Sequence, residues 1–414
     1  MKAIQIEKPE MLRVIDMEKP IITTEDNVLI KMKAVGICGS DVGIYHGTNA
    51  AATYPRVIGH EMVGKVEEVG KGVTRVKPGD RVIVDQVKSC GHCYACRIGR
   101  GNVCGNLEVR GVHIDGGYRE YMAIPETACY VLPESLSDED AVMIEPTTIA
   151  IQCCSRAQLS KEDTLLIYGC GSLGSSILKI ASLRGCKIIV ADIVDQKLEE
   201  AKKKWADYTI NSLTEDLESR IKDLTDGYGV TISIDAACIK NSLLTLLKVT
   251  GNAGRVMTMG FSTAPTEINQ FLITSKELDV RGSRLQNKKF GDAIELIKQG
   301  KLDLNGSVSH TYPFVEAQKA FDEVKSWFAP STFVPFSLND SVYALPETQT
   351  FSLMFYRDDI FEDLGISPPD TWDELIDIIP IIQKNNMNVG IPSVAGSGDF
   401  TNLFSQIYQR GGTL

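Results

Sequence analysis

From Thr164 onward the sequence repeats one pattern, a short apolar run of buried-strand length followed by a helical stretch. Leu165–Tyr168, Lys187–Ala191, Thr231–Asp235 and Arg255–Met259 are such runs, and Ser172–Leu183 and Gln196–Lys204 carry helical periodicity between them. Strands apolar on both faces and separated by helices pair in parallel, because each crossover helix covers one face of the sheet. The expected fold of this part is α/β, a doubly wound parallel sheet.

The first of these strands runs into Gly169-Cys170-Gly171-Ser172-Leu173-Gly174. G-x-G-x-x-G alone is a weak signal, but a strand before it and a helix after it give each glycine a task. The first permits a tight turn, the second lets a pyrophosphate approach the backbone, and the third lets helix and strand pack closely. The phosphate charge then meets the positive end of a helix dipole. Asp192 ends the next strand, near the offset of about 20 residues expected of an acid that accepts from ribose hydroxyls. A carboxylate there repels the 2′-phosphate of NADP, so NAD is the expected cofactor; a plain strand-end cap is the other reading of Asp192. Ala237 and Gly260, at later strand ends, are further candidates for the cofactor wall.

Residues 1–150 read differently. Asn27–Ala34, Met62–Val69 and Arg81–Val87 are β-type runs, with Pro78-Gly79-Asp80 as a turn. Within this part Cys90, Cys93, Cys96 and Cys104 form C-x2-C-x2-C-x7-C, with Gly91 and Gly99 as turn residues. Four thiolates close a tetrahedral coordination sphere and leave no position for substrate, so the lobe reads as a structural zinc site. An iron–sulfur cluster uses similar runs, and four free thiols are the plain alternative. His92 reads as an exposed bystander. A second, scattered set comprises Cys38, His60, Glu61 and Glu145; one thiolate, one imidazole and carboxylate leave a zinc ion partly open. Spacing alone does not bring residues 38, 60 and 145 together.

Net charge excludes one class of partner. Of 414 residues, 43 are Lys or Arg and 54 Asp or Glu, giving −11, without the basic surplus of a nucleic-acid binder. From Phe328 to Leu414 the count is 11 acidic against 3 basic residues, so −8 of the −11 lies in this tail, a break suggesting segments of different origin. No apolar run approaches the roughly 18 residues that span a bilayer, and the first residues do not read as an export signal. Eleven cysteines, an odd number, argue against a disulfide framework and for a cytoplasmic protein. Cys129, Cys153, Cys154, Cys170, Cys186 and Cys238 read as buried inert thiols.

Gly36-Ile37-Cys38-Gly39-Ser40-Asp41, Gly59-His60-Glu61, the four-cysteine lobe and Glu145-Pro146 together resemble, over about residues 1–325, the zinc-containing medium-chain dehydrogenase/reductase family, in particular its sorbitol and sugar-acid dehydrogenases. The resemblance implies a GroES-like catalytic domain at 1–150, completed by about 287–327, and a Rossmann NAD-binding domain at 151–286. It implies a catalytic zinc on Cys38 and His60, with Glu61 as ligand or close neighbour and Glu145 as the carboxylate of the polyol branch. Asp41 would orient the ring of His60, Ser40 would take the substrate proton, and Arg284 would stand near the substrate. The activity implied is NAD-dependent oxidation of a secondary alcohol on a polyol or sugar acid, in a homodimer or homotetramer carrying two zinc ions per chain. One position departs from pattern: Gly43 stands where relatives carry a relay histidine. His46 either replaces it or is an exposed loop residue.

The tail, about 328–414, resembles through Val342–Pro346, Phe355–Phe361 and Gly365–Glu374 an internal piece of extracellular sugar-binding proteins of ABC importers. It reads as a fusion fragment without activity of its own, or as a sugar-binding appendage. The final strand expected after Val324 is not visible in the sequence. A zinc-independent reductase and a regulatory, starvation-sensing role are the remaining rival readings of the whole chain.

Overall fold

The computed structural model describes residues 1–261 and 265–326, the strands Ser337–Leu338 and Ser341–Val342, and positions 365, 377, 378, 380, 381 and 384. The chain divides into two compact units, Met1–Gln349 and Thr350–Leu414, and the site lies in the first. Most of the tail, including its proposed carbohydrate-binding role, falls outside the described residues. The strands Ser337–Leu338 and Ser341–Val342 pair antiparallel.

The N-terminal part is β-rich, as its alternating runs require. Five antiparallel strands lie in the order Cys129–Val131, Arg81–Val84, Glu61–Val69, Asn27–Gly36, Tyr121–Pro125. Val28, Ile30, Met62, Val82 and Val84 pack beneath them as one core. The pairing of Asn27–Gly36 with Glu61–Val69 sets Gly36 opposite Glu61. Residues just beyond the end of the first strand therefore meet those just before the second, which brings Cys38 to His60. The expected strand Arg81–Val87 is interrupted: ladder pairing stops at Val84 and resumes at Val87–Lys88, with the buried Gln86 between.

A second sheet holds six parallel strands in the order Tyr208–Asn211, Lys187–Asp192, Thr164–Tyr168, Val230–Asp235, Thr250–Thr258, Asp279–Gly282. In chain order that is 3-2-1-4-5-6, and the order reverses between Thr164–Tyr168 and Val230–Asp235. The carboxyl ends of strands at such a reversal form the crevice where dinucleotides bind. The architecture is thus the expected α/β one, a GroES-like β-rich unit plus a Rossmann sheet.

A 14-residue helix, Ile144–Ala157, runs through position 150, the end of the stretch read as β-rich. Its Thr147, Thr148 and Ile149 disguise it locally, and burial of one face against the core overrides propensity. The stretch 287–325 holds helices at Phe290–Lys298 and from Ala317, with a 3-10 turn just before the second. Gly300 and Gly306, at φ +66 and +67, and Pro313 break the chain there. One face of the first helix, Phe290, Ala293, Ile294 and Ile297, is buried.

Candidate active site and metal centres

Cys38 caps the short helix Gly39–Tyr45, and the fully buried Asp41 in its first turn ties two loops together. One oxygen of Asp41 accepts the Cys38 amide at 2.9 Å and the other the Gly59 amide at 3.2 Å. The second oxygen also lies 3.3 Å from His60 Nδ1, a nitrogen that is buried and has no partner in hydrogen-bond geometry. On the opposite side of the ring, Nε2 is 3.4 Å from Ser40 Oγ. Gly36 has no Cβ where Glu61 needs room: one would lie 1.9 Å from Glu61 Oε2.

Cys38, His60 and Glu61 each present a ligand atom within 4.8 Å of the others. Burial disfavours a charged His60, yet the Asp41 carboxylate and the Cys38 thiolate outweigh it and hold the imidazole well above its ordinary range. Burial pushes the Glu61 carboxyl up to about 7 against the pull of His60. Glu145 is buried in the first turn of Ile144–Ala157 and is raised to about 8, chiefly by burial, with His60 lowering it and Glu61, Asp85 and Asp41 adding to the rise. It stands outside the three-residue group, and its Oε1 accepts from the Gln86 side chain. Acids, a thiol and an imidazole crowded together out of water call for a cation, and this donor set fits a divalent metal.

His46 is corrected. It is not an exposed loop residue: it is 4% exposed, ends the helix Gly39–Tyr45, and pairs with Glu10.

The four-cysteine lobe is assembled. Cys93 Sγ lies 3.5 Å from Cys96 Sγ and 3.8 Å from Cys104 Sγ. Sulfurs held about 2.3 Å from one tetrahedral zinc stand about 3.8 Å apart. Gly91 and Gly99 adopt φ +79 and +77, as the turns demand. Backbone amides of Gly105 and Asn106 point at Cys93 and Cys104 sulfurs, and the Gly105 amide foremost draws the Cys93 thiol down to about 6. His92 is exposed, as expected.

In the glycine loop the three glycines differ. Gly169 has φ +97, and a Cβ on it would lie 2.6 Å from the Ala237 amide nitrogen across the sheet reversal. A Cβ on Gly174 would lie 2.0 Å from Gly169 O, whereas one on Gly171 would meet nothing within 4 Å. The open position begins the helix Ser172–Ser182, a cradle suited to a phosphate. Ser172 is exposed there, while Leu173 packs against the core. Asp192 accepts backbone amides from Cys170 at 2.6 Å and Ile193 at 2.8 Å. It caps the turn and aims at the loop.

Gly260 and Arg284 share a cavity of about 370 Å³ with Arg100, Asn102, Arg156 and Phe261. The Arg284 guanidinium lies over the Phe261 ring, 5.7 Å from its centre, and its carbonyl accepts from Asn102 at 2.7 Å. Gln86 and Asn102 were missed in the sequence, where neither carries a local signal.

A family profile described as the alcohol dehydrogenase GroES-like domain matches residues 24–134, and one described as zinc-binding dehydrogenase matches 172–299. The starvation-sensing protein RspB of Escherichia coli K12 is 42% identical over 318 residues, which is 76% of this chain and 92% of that protein. The chain belongs to the zinc-containing medium-chain dehydrogenase family. It is a zinc-type, alcohol dehydrogenase-like oxidoreductase. Another member of this family, D-arabitol-phosphate dehydrogenase of Enterococcus avium, is 33% identical, covering 78% of this chain and 94% of that one. Among solved structures, an alcohol dehydrogenase (rspB) from E. coli CFT073 complexed with NADH superposes with TM-score 0.73 at 41% identity, covering 78% and 95% of the two chains. A zinc-binding dehydrogenase from Sinorhizobium meliloti bound to NADP superposes with TM-score 0.73 at 28% identity, covering 77% and 94%. Residues 285–413 match the profile of bacterial extracellular solute-binding proteins. Among the described residues no helix is long and apolar enough to cross a membrane.

Proposed function

We propose that this oxidoreductase uses one catalytic zinc, one structural zinc and NAD to oxidise a secondary alcohol of a polyol or sugar acid to the ketone. The observation that carries the reading is the convergence of Cys38, His60 and Glu61 within 4.8 Å. These residues would hold the catalytic ion, with Glu145 as a further carboxylate at its edge. A zinc ion there supplies Lewis-acid polarisation of a substrate oxygen. Asp41 fixes the Cys38 and Gly59 backbones, and so the spacing of thiol and imidazole. Ser40 Oγ, 3.4 Å from His60 Nε2, takes the hydroxyl proton. The onward route differs from the usual relay, because residue 43 is Gly and His46 is engaged with Glu10.

Gly169, Gly171 and Gly174 with the amides of Ser172 and Leu173 form the pyrophosphate seat, Asp192 takes the ribose hydroxyls, and Ala237 and Gly260 wall the crevice. Preference for NAD over NADP rests on the Asp192 carboxylate and is supported by the NADH in the 41%-identical structure. A polyol or sugar-acid substrate is supported by the name of the arabitol-phosphate relative and by the cationic Arg284 beside Gly260. We take 1–150 with 287–327 as the catalytic domain, 151–286 as the cofactor domain and 328–414 as an appended segment, in a cytoplasmic homodimer or homotetramer. A second reading, carbohydrate binding by the appended segment, rests on the solute-binding profile alone.

The test is Cys38→Ser. Zinc content should fall from two equivalents to one, NADH binding should persist, and turnover of hexitols, pentitols and hexonates followed by NADH absorbance should vanish. Full turnover in this variant would sink the catalytic-zinc assignment.

A further inference from the structure

Apart from the groups above, the β-rich unit has another cavity, of about 510 Å³, beside the strand Tyr121–Pro125. Arg110 and Arg119 both line it. Arg110 is 5% exposed, and its one side-chain hydrogen bond among the described residues goes to the Asp85 carbonyl at 3.1 Å. Arg119 makes no side-chain hydrogen bond among them, and its Nε is buried without a partner. No described carboxylate comes within the 4.0 Å ion-pair distance of either guanidinium.

Of the acids nearby, the buried Asp85 carboxylate attracts Arg110 from beyond ion-pair distance and takes its hydrogen bonds from the Val87 amide and Gln286, and the other two are engaged elsewhere. Asp115 takes Arg56 Nη1 at 2.8 Å and the Val57 amide at 3.2 Å, and Glu108 takes Lys88 at 2.6 Å. Burial holds both arginines below their ordinary range. Guanidinium groups drawn out of water normally come with a partner, because an unpaired charge there is costly. Planar forks of this kind match carboxylate and phosphate oxygens. The volume lies in the range of small-molecule sites, more than a bare ion requires. Ile114, Met122, Ile124 and Pro125 give the cavity an apolar wall, and Asp26, which accepts the Thr24 hydroxyl, is available to a hydroxyl on the same ligand.

We propose that this cavity binds a small organic oxyanion, a phosphate monoester or a carboxylate, whose charged head pairs with Arg110 and Arg119. The site is separate from the metal and cofactor residues and stands independently of the dehydrogenase reading. The experiment is calorimetric titration of the full zinc-loaded chain in saturating NADH, which occupies the glycine loop. Glycerol phosphate, succinate and inorganic phosphate are the probes. One of the organic anions should saturate one site per chain. Arg119→Gln should weaken it at least tenfold, and Arg110→Lys, which keeps the charge but loses the fork, should also weaken it; NADH affinity and turnover without added anion should be unchanged in Arg119→Gln. Absence of saturable binding by both organic anions, wild-type affinity in Arg119→Gln, or tighter binding of inorganic phosphate than of either organic anion would each overturn the proposal.

Discussion

Gly171 and Gly174 lie three residues apart in one loop, yet alanine at the two positions should have opposite effects. At Gly174 a methyl carbon would fall 2.0 Å from the Gly169 carbonyl oxygen, 1.0 Å inside the 3.0 Å limit of real contacts. The obstacle is backbone, so relief requires the helix Ser172–Ser182 to move off the strand Thr164–Tyr168. Overpacking of this kind costs about 1–3 kcal/mol, and the upper part of that range is expected here. At Gly171 the backbone already has φ −73 and ψ −164, open to alanine, and no atom lies within 4 Å. Loss of a good helix cap and a gain of about 0.4–1 kcal/mol from a stiffer unfolded chain largely cancel. The apo protein should stay within about 0.5 kcal/mol of the parent. NADH should nonetheless bind at least tenfold more weakly, about 1.4 kcal/mol, because the methyl occupies the approach of the pyrophosphate. Urea midpoints of the apo proteins and a fluorescence titration with NADH measure both quantities. Parental NADH affinity in Gly171→Ala would refute the cradle, and parental stability in Gly174→Ala would refute the packing argument.

Cys93→Ser should release the lobe's zinc while the ion at Cys38 remains, read as one equivalent retained by metal analysis. Arg255→Leu should cost about 3–5 kcal/mol in a denaturation midpoint, since it strips the buried Asp163 of its 2.5 Å cation and leaves the Ala157 and Gln158 carbonyls without their donor. Asp85→Asn should stabilise the fold at neutral pH. Burial raises the Asp85 carboxyl to about 6 against the pull of the Val87 amide, Gln286 and Arg110. From about 3.9 in the unfolded chain, that is a native-state penalty of roughly 3 kcal/mol at pH 7. The penalty sets in as pH rises through about 4 to 6, so the variant's advantage should appear over that window and vanish near pH 4. Both bonds received by Asp85 end on Oδ1, which asparagine keeps. A flat difference across the window would show that Asp85 is not raised.

The features legible in the sequence were those whose parts lie close together along the chain. Cys90 to Cys104 form one loop, so spacing carries the geometry, and the glycine loop is read from the strand and helix that flank it. The bond from the Cys38 amide to Asp41 is local too, three residues being the reach of a helix first turn. Contacts set by sheet register were not. Gln86 on Glu145, Glu10 on His46 and Asn102 on Arg284 are 59, 36 and 182 residues apart, and nothing local in either partner announces them. The helix Ile144–Ala157 was hidden for a related reason, since its stability comes from the core it covers.

The bond from Asn102 to the Arg284 carbonyl has a companion, from the Asn287 side chain to the Gly99 carbonyl at 2.8 Å. Together they lash the cysteine loop to the segment that carries Arg284 at two points. A metal held by the four cysteines would thereby splint the wall that Arg284 lines. Stripping it should blur substrate choice before it unfolds the chain.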